Sequence, residues 1–151
     1  MYLYRITKAA YANDLSGNGA RLYGGRWNSE GLPALYTSTT RALAVLETLA
    51  HTPLDLLLQG DFLLLGIFVP DDAPAISIKP EEIPDNWDLL GTRSRGDRLL
   101  LSQQHLVLEV PSILVPEESN RLLNPLHPRM RDVYLHNSRP VRWDKRLLSP
   151  A

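Results

Sequence analysis

The longest apolar run in the chain, Phe62 to Val69, is interrupted by Gly66 and closed by Pro70-Asp71-Asp72. A membrane-crossing helix takes about twenty apolar residues, so this run cannot serve as one. Bounded by turn residues, it predicts a buried strand over Asp61–Val69. Every other apolar stretch is shorter still, so the fold has to be assembled from brief elements that bury their faces against one another. The N-terminus, Met1-Tyr2-Leu3-Tyr4-Arg5, alternates where a signal peptide would show a basic stretch and then a long apolar run. No cysteine is present, which excludes disulfides and thiolate metal sites. These features predict a soluble cytoplasmic protein, away from the membrane, with one domain spanning residues 1–151.

Further elements follow from local pattern. Tyr2–Ile6 and Ala34–Thr37 read as short strands, separated by an irregular stretch, Lys8–Pro33, that carries Gly17, Gly19, Gly24, Gly25 and Gly31. Thr39 or Thr40 can cap a helix running from Arg41 to Ala50. Ala75–Ile78 reads as extended, Glu81–Leu90 is ambiguous, and Thr92–Gln104 reads as a helix. Leu106–Val110 alternates as a strand and Ile113–Val115 continues it. A turn region then leads to a short helix over Pro128–Leu135 and a closing strand over Pro140–Trp143. Short strands with one or two solid helices predict a mixed α+β domain rather than a regular βαβ alternation.

Charge narrows the function. Sixteen Lys+Arg against seventeen Asp+Glu give a formal net charge of -1, without the basic excess of a protein that binds nucleic acid wholesale. Lysine occurs only at positions 8, 79 and 145; the other basic residues are arginines, whose planar fork matches phosphate and carboxylate.

Four places can carry chemistry. Between Ala42 and Ala50 only Glu47 and Thr48 are not apolar, so most of that helix is expected to be buried. A carboxylate on such a helix sits either at a solvated edge or in a wet pocket as a positioned charge. The stretch from Ser16 to Asn28 combines glycines, which let backbone N–H groups approach a ligand, with Arg21 and Arg26 and the rings of Tyr23 and Trp27. Taken alone, such a stretch is more often a surface loop, and it lacks both standard nucleotide-binding glycine patterns. Tyr36 alternates with apolar neighbours, as core residues and ligand platforms both do. Ser112 follows Pro111 at a strand end, where serines also satisfy turns. The four histidines, His51, His105, His127 and His136, show no metal-binding spacing, and there is no Gly-x-Ser-x-Gly elbow.

Taken in order, Gly24-Gly25-Arg26-Trp27-Asn28, Leu35-Tyr36-Thr37-Ser38, Leu46-Glu47 and Val110-Pro111-Ser112 resemble the RES domain, named for its Arg, Glu and Ser. The tail resembles that family's closing segments through Asn120, Asn124-Pro125-Leu126-His127-Pro128 and Trp143-Asp144-Lys145-Arg146-Leu147. The resemblance implies a fold similar to ADP-ribosyltransferase toxins and the role of a toxin that depletes NAD, by hydrolysis or phosphorolysis, with protein ADP-ribosylation as the alternative. It also implies a partner, an Xre-type antitoxin, and NAD as substrate without any resident cofactor or metal. A homodimer within such a complex is compatible with the sequence. Carried over by position, Arg26, Tyr36, Glu47 and Ser112 are the implied catalytic residues, and Arg26, Trp27, Asn28, Tyr36 and Ser112 the implied substrate-binding ones.

The chemistry of that reaction suits these residue types. Breaking the nicotinamide–ribose bond develops oxocarbenium-like charge, which a fixed carboxylate stabilises most in the transition state. Arg26 and loop N–H groups would hold the pyrophosphate, Tyr36 would stack on nicotinamide, and Ser112 would hydrogen-bond the ribose or the amide. Nicotinamide departs as a neutral molecule, so the reaction calls for no strong general acid. Two other readings compete: a ribonuclease-type toxin, which the balanced charge disfavours, and a non-catalytic module whose glycine loop holds a nucleotide or peptide.

Overall fold

A seven-stranded sheet forms the centre of the computed structural model, which describes residues 1–83, 85 and 89–148. Its strands are β1 (Tyr2–Lys8), β2 (Leu35–Ser38), β3 (Phe62–Phe68), β4 (Ala75–Ser77), β5 (Val107–Pro111), β6 (Ser119–Leu123) and β7 (Tyr134–Pro140). They lie in the order β4-β5-β6-β2-β1-β3-β7. β4 and β5 run parallel, and every other neighbouring pair is antiparallel. Helices α1 (Asn18–Tyr23), α2 (Arg41–His51), α3 (Leu54–Gln59), α4 (Leu89–Ser102) and α5 (Lys145–Leu148) complete the α+β architecture.

Strand alternation sends successive side chains to opposite faces of the sheet. Leu35, Val107 and Leu123 enter one core cluster, with Leu3, Leu65 and Ile67. Their neighbours Leu108 and Leu122 enter the other, with Trp27, Leu100 of α4 and, partly buried against it, Tyr36. α2 packs on β1 and β2. Its first turn is capped by Thr40, whose Oγ1 accepts from the Leu43 N–H at 3.1 Å.

Several elements differ from the sequence expectation. α2 is not largely buried: Leu43 and Ala44 face the core, whereas Ala42, Leu46 and Ala50 are exposed. The helix lies on the sheet by one stripe, and its other apolar residues form a second stripe on the outer side. The glycine-rich stretch is not wholly irregular, because α1 and a 3₁₀ turn over Ala9–Tyr11 interrupt it. α3 was not anticipated. Ile113–Val115 does not extend β5 but bends away, with the Leu114 and Val115 N–H groups donating to Ser112 Oγ at 3.1 and 3.2 Å. The region read as turn contains β6, and the closing strand ends at Pro140 rather than beginning there. β6 opens with Ser-Asn-Arg and β7 is an edge strand of mostly exposed residues, so neither shows an apolar alternation. The ambiguous stretch begins inside a 3₁₀ turn, Pro80–Glu82, and ends in the first residues of α4; residues 84 and 86–88 lie outside the described residues.

Candidate active site

α2, β1, β2 and the loop after α1 enclose a cavity of about 660 Å³. Arg5, Arg26, Tyr36 and Glu47 all line it. β1 and β2 are in register at Tyr4 and Ser38, and alongside that pair the Arg5 Nη1 donates to the Tyr36 carbonyl at 3.1 Å. Burial pushes the Arg5 guanidinium below its ordinary range, against the opposing effect of Asp14.

Glu47 occupies the middle of one wall, with 20% of its side chain exposed. Its Oε1 accepts two hydrogen bonds of 2.7 Å, from Ser112 Oγ and from Asn120 Nδ2. Asn120 is itself oriented by Ser38, whose Oγ donates to Asn120 Oδ1 at 2.8 Å. One carboxylate oxygen is thus pinned by residues of β6 and of the turn after β5. The other, Oε2, has His51 Nδ1 at 3.5 Å.

The loop between α1 and β2 is held from two directions. Asn28 is fully buried; its Nδ2 donates to the carbonyls of Ala20 and Leu32 at 2.8 and 2.9 Å, and its Oδ1 accepts from the Tyr36 hydroxyl at 2.6 Å. That hydroxyl in turn accepts from the Trp27 N–H at 3.0 Å. Burial, outweighing the Trp27 hydrogen bond and nearby arginines, pushes the Tyr36 phenol up to about 12. Tyr36 therefore stays protonated and offers the cavity a ring rather than an acid or base. Gly25 is required here: a Cβ on it would meet the Tyr36 hydroxyl and lie 2.8 Å from Asn28 Oδ1.

α4 clamps the same loop from outside. Thr92 Oγ1 donates to the Arg26 carbonyl at 2.9 Å, Arg93 Nε to the Gly25 carbonyl at 2.6 Å, and the Ser29 N–H to Asp97 at 2.8 Å. Gly96 completes the face, since any Cβ there would overlap the Trp27 carbonyl. The stretch is a braced wall of the cavity, not a flexible surface loop.

Of the residues expected at the site, Arg26, Tyr36 and Glu47 share one cavity. Trp27 also borders it, while Asn28 and Ser112 sit behind it. The Trp27 side chain is 2% exposed and packs in the core, so stacking on a ligand is corrected to a structural role. Asn28 spends its amide on the loop, and Ser112, fully buried, spends its hydroxyl on Glu47 and two backbone N–H groups. Both reach the cavity only through the neighbours they hold, the loop for Asn28 and the Glu47 carboxylate for Ser112.

Arg5, Asn120 and the α4 bracket were not found by sequence reasoning. Arg5 looked like one polar residue on an alternating strand. Thr92 and Gly96 did carry a signal: a glycine inside a helix, one turn from a Thr, marks a close backbone approach.

Comparison with known proteins identifies the family. The family model of the RES domain matches residues 2–144. The chain is 38% identical to a Sphingobium protein named Prs ADP-ribosylating toxin, over 93% of this chain and 90% of the relative. It is 40% identical to a Photorhabdus laumondii protein named Toxin Res, covering 83% of each, and 41% identical to a Yersinia enterocolitica protein of the same name, covering 84% and 86%. In fold it is similar to a chain of the M. tuberculosis MbcT–MbcA toxin–antitoxin complex, with a TM-score of 0.77 at 22% identity over 93% of this chain and 83% of that one. The residues of the braced loop, of α2 and of the turn after β5 are those of one ordered motif set, and the chain belongs to the RES domain family.

Proposed function

We propose that this protein is the toxin of a toxin–antitoxin pair and that it cleaves the nicotinamide–ribose bond of NAD. The observation that carries this reading is the Glu47 carboxylate, oriented by Ser112 and Asn120, in one cavity with Arg5, Arg26 and the Tyr36 ring. In that pose Glu47 Oε2 meets the nicotinamide ribose, where positive charge builds as the bond to nicotinamide lengthens. A carboxylate already held in place stabilises that charge without reorganising in the transition state. The two arginines suit the pyrophosphate, whose charge they match in geometry as well as sign. The Tyr36 ring suits the nicotinamide face. Ser112, expected from the sequence at the ribose or amide, acts in this reading by fixing the carboxylate.

The names of the relatives support the coarser part of the proposal, toxin and antitoxin partner. An Xre-type antitoxin that covers the cavity mouth, and a homodimer within the complex, belong to the same reading. Transfer of ADP-ribose to a protein is the second reading, favoured by the name of the Sphingobium relative. Both begin with the same bond cleavage and differ in the acceptor.

The experiment is incubation of the purified protein with NAD carrying a label in the adenylate half, with and without phosphate and with cell extract. Free nicotinamide with ADP-ribose or its 1-phosphate supports hydrolysis or phosphorolysis, and labelled protein supports transfer. Intact NAD and no labelled protein would overturn the proposal. Glu47→Ala is expected to abolish every product.

A further inference from the structure

We infer that His51 is the base that takes the proton from the incoming acceptor hydroxyl, water in the hydrolytic case. This rests on the reading of the cavity as an NAD-cleaving site.

His51 ends α2 one turn beyond Glu47 and lines the same cavity. Its Nδ1 lies 2.7 Å from the Glu47 backbone carbonyl. A carbonyl oxygen can only accept, so the hydrogen is on Nδ1. That fixes the tautomer of the neutral ring and leaves the lone pair on Nε2. Among the described residues Nε2 makes no hydrogen bond. The ring is 68% exposed, which gives a bound proton a way out to solvent.

The other groups around the cavity are poor acceptors. Arg5 on β1 and Arg26 on the loop are cations without lone pairs to offer. The Tyr36 hydroxyl on β2 is committed to Asn28 and Trp27, and Tyr4 on β1 lies with its ring 4.4 Å from the Arg41 guanidinium. Glu47 has Oε1 occupied by two donors, and Oε2 is the oxygen assigned to the ribose. His51 combines an open lone pair with a place to keep the resulting charge. The imidazolium forms 3.5 Å from Glu47 Oε2 and in the last turn of α2, where the helix dipole favours a cation.

In the step, the C1′–N bond breaks with its electron pair leaving on nicotinamide, and Glu47 faces the oxocarbenium. In the same transition state the water oxygen bonds to C1′ as the nicotinamide leaves, while one of its protons passes to His51 Nε2 and from there to solvent. NAD and water thus give ADP-ribose, nicotinamide and one proton.

The test is His51→Asn, whose amide keeps a donor near the Nδ1 position and places nothing at Nε2. The parent is assayed for nicotinamide release from NAD beside it. General-base loss is expected to lower kcat by about 100-fold, with KM for NAD within about twofold. Azide attacks without a proton to lose, so it is expected to restore nicotinamide release in His51→Asn far more than it accelerates the parent. A variant within threefold of the parent, or a loss that azide leaves unchanged, would overturn the inference. Should His51→Asn melt well below the parent, His51→Gln is read by the same two criteria. A parent that leaves NAD intact removes the proposed function and this inference together, whereas an active parent with an equally active His51→Asn removes this inference alone.

Discussion

Ser112 Oγ stands 2.7 Å from Glu47 Oε1, and the same hydroxyl oxygen accepts from the N–H groups of Leu114 and Val115. One buried side chain therefore ties the turn after β5 to the carboxylate on α2. Ser112→Ala is expected to lower the kcat of NAD cleavage by about 10-fold to 100-fold with little change in KM, because the lost bond orients Glu47 rather than binding substrate. Leaving the turn N–H groups unpaired is expected to cost about 1–2 kcal/mol of folding stability. Steady-state kinetics and a denaturant titration check both, and an unchanged kcat would contradict the assigned role.

Asn120 reaches the same carboxylate oxygen from β6. Asn120→Ala removes one bond, whereas Asn120→Asp sets a second carboxylate against the first. Like charges at that separation disfavour double ionisation. Asn120→Asp is therefore expected to be the slower enzyme at neutral pH by about 10-fold, a difference of roughly 1.4 kcal/mol in transition-state stabilisation. Comparing kcat/KM of the two variants decides it; equal rates would argue against a charged Glu47 at work.

The raised phenol of Tyr36 makes a pH prediction. Its proton is held to about 12 in the folded chain, against the ordinary value of 10.0. Between these values the unfolded chain has lost the proton and the folded one has not. The stability from this group is thus complete below pH 10 and lost as pH rises through 12, about 2–3 kcal/mol in all. Tyr36→Phe is expected to be less stable at pH 8 by about 1–3 kcal/mol, since it strands Asn28 Oδ1 and the Trp27 N–H. The gap to the parent should close by pH 11.5. Chemical denaturation at the two pH values measures it, and a constant gap would refute it.

Gly96→Ala pits helix propensity against space. Alanine gains about 1 kcal/mol in an α-helix. Here its methyl would overlap the Trp27 carbonyl, a backbone atom that cannot rotate aside. Overpacking of this kind costs about 1–3 kcal/mol, and the immovable neighbour puts this site at the upper end. A lower Tm and weaker NAD cleavage are expected together, as α4 and the loop carrying Arg26 are pushed apart. A raised Tm would show that the contact is looser than described.

Much of the scaffold could be read before any coordinates. α2 with its Thr40 cap, β1, β2, β3 and α4 follow from apolar period and from turn or capping residues, which are local signals. Arg26, Tyr36 and Glu47 stood out as charge or ring in unusual company, and the structure draws them into one cavity. The partners that fix them did not. Asn120 and Glu47 are 73 residues apart, and no periodicity announces a pairing at that distance. Trp27 and Asn28, which the resemblance implies at the substrate, stand beside glycines and arginines, yet closing the loop needs one ring in the core and one amide to satisfy its carbonyls. β7 was hidden because Tyr134 and Leu135 read as the end of a helix that stops as a 3₁₀ turn at Asp132, and the exposed edge strand they open shows no apolar alternation.

The bonds that steady Glu47 come from partners 65 and 73 positions further along the chain. During synthesis, α2 leaves the ribosome long before Ser112 and Asn120 do. Until β6 has emerged and paired with β2, the carboxylate swings on a helix with nothing to aim it. A chain that ends before Ser112 therefore carries the acid of the cavity without either of the bonds that aim it.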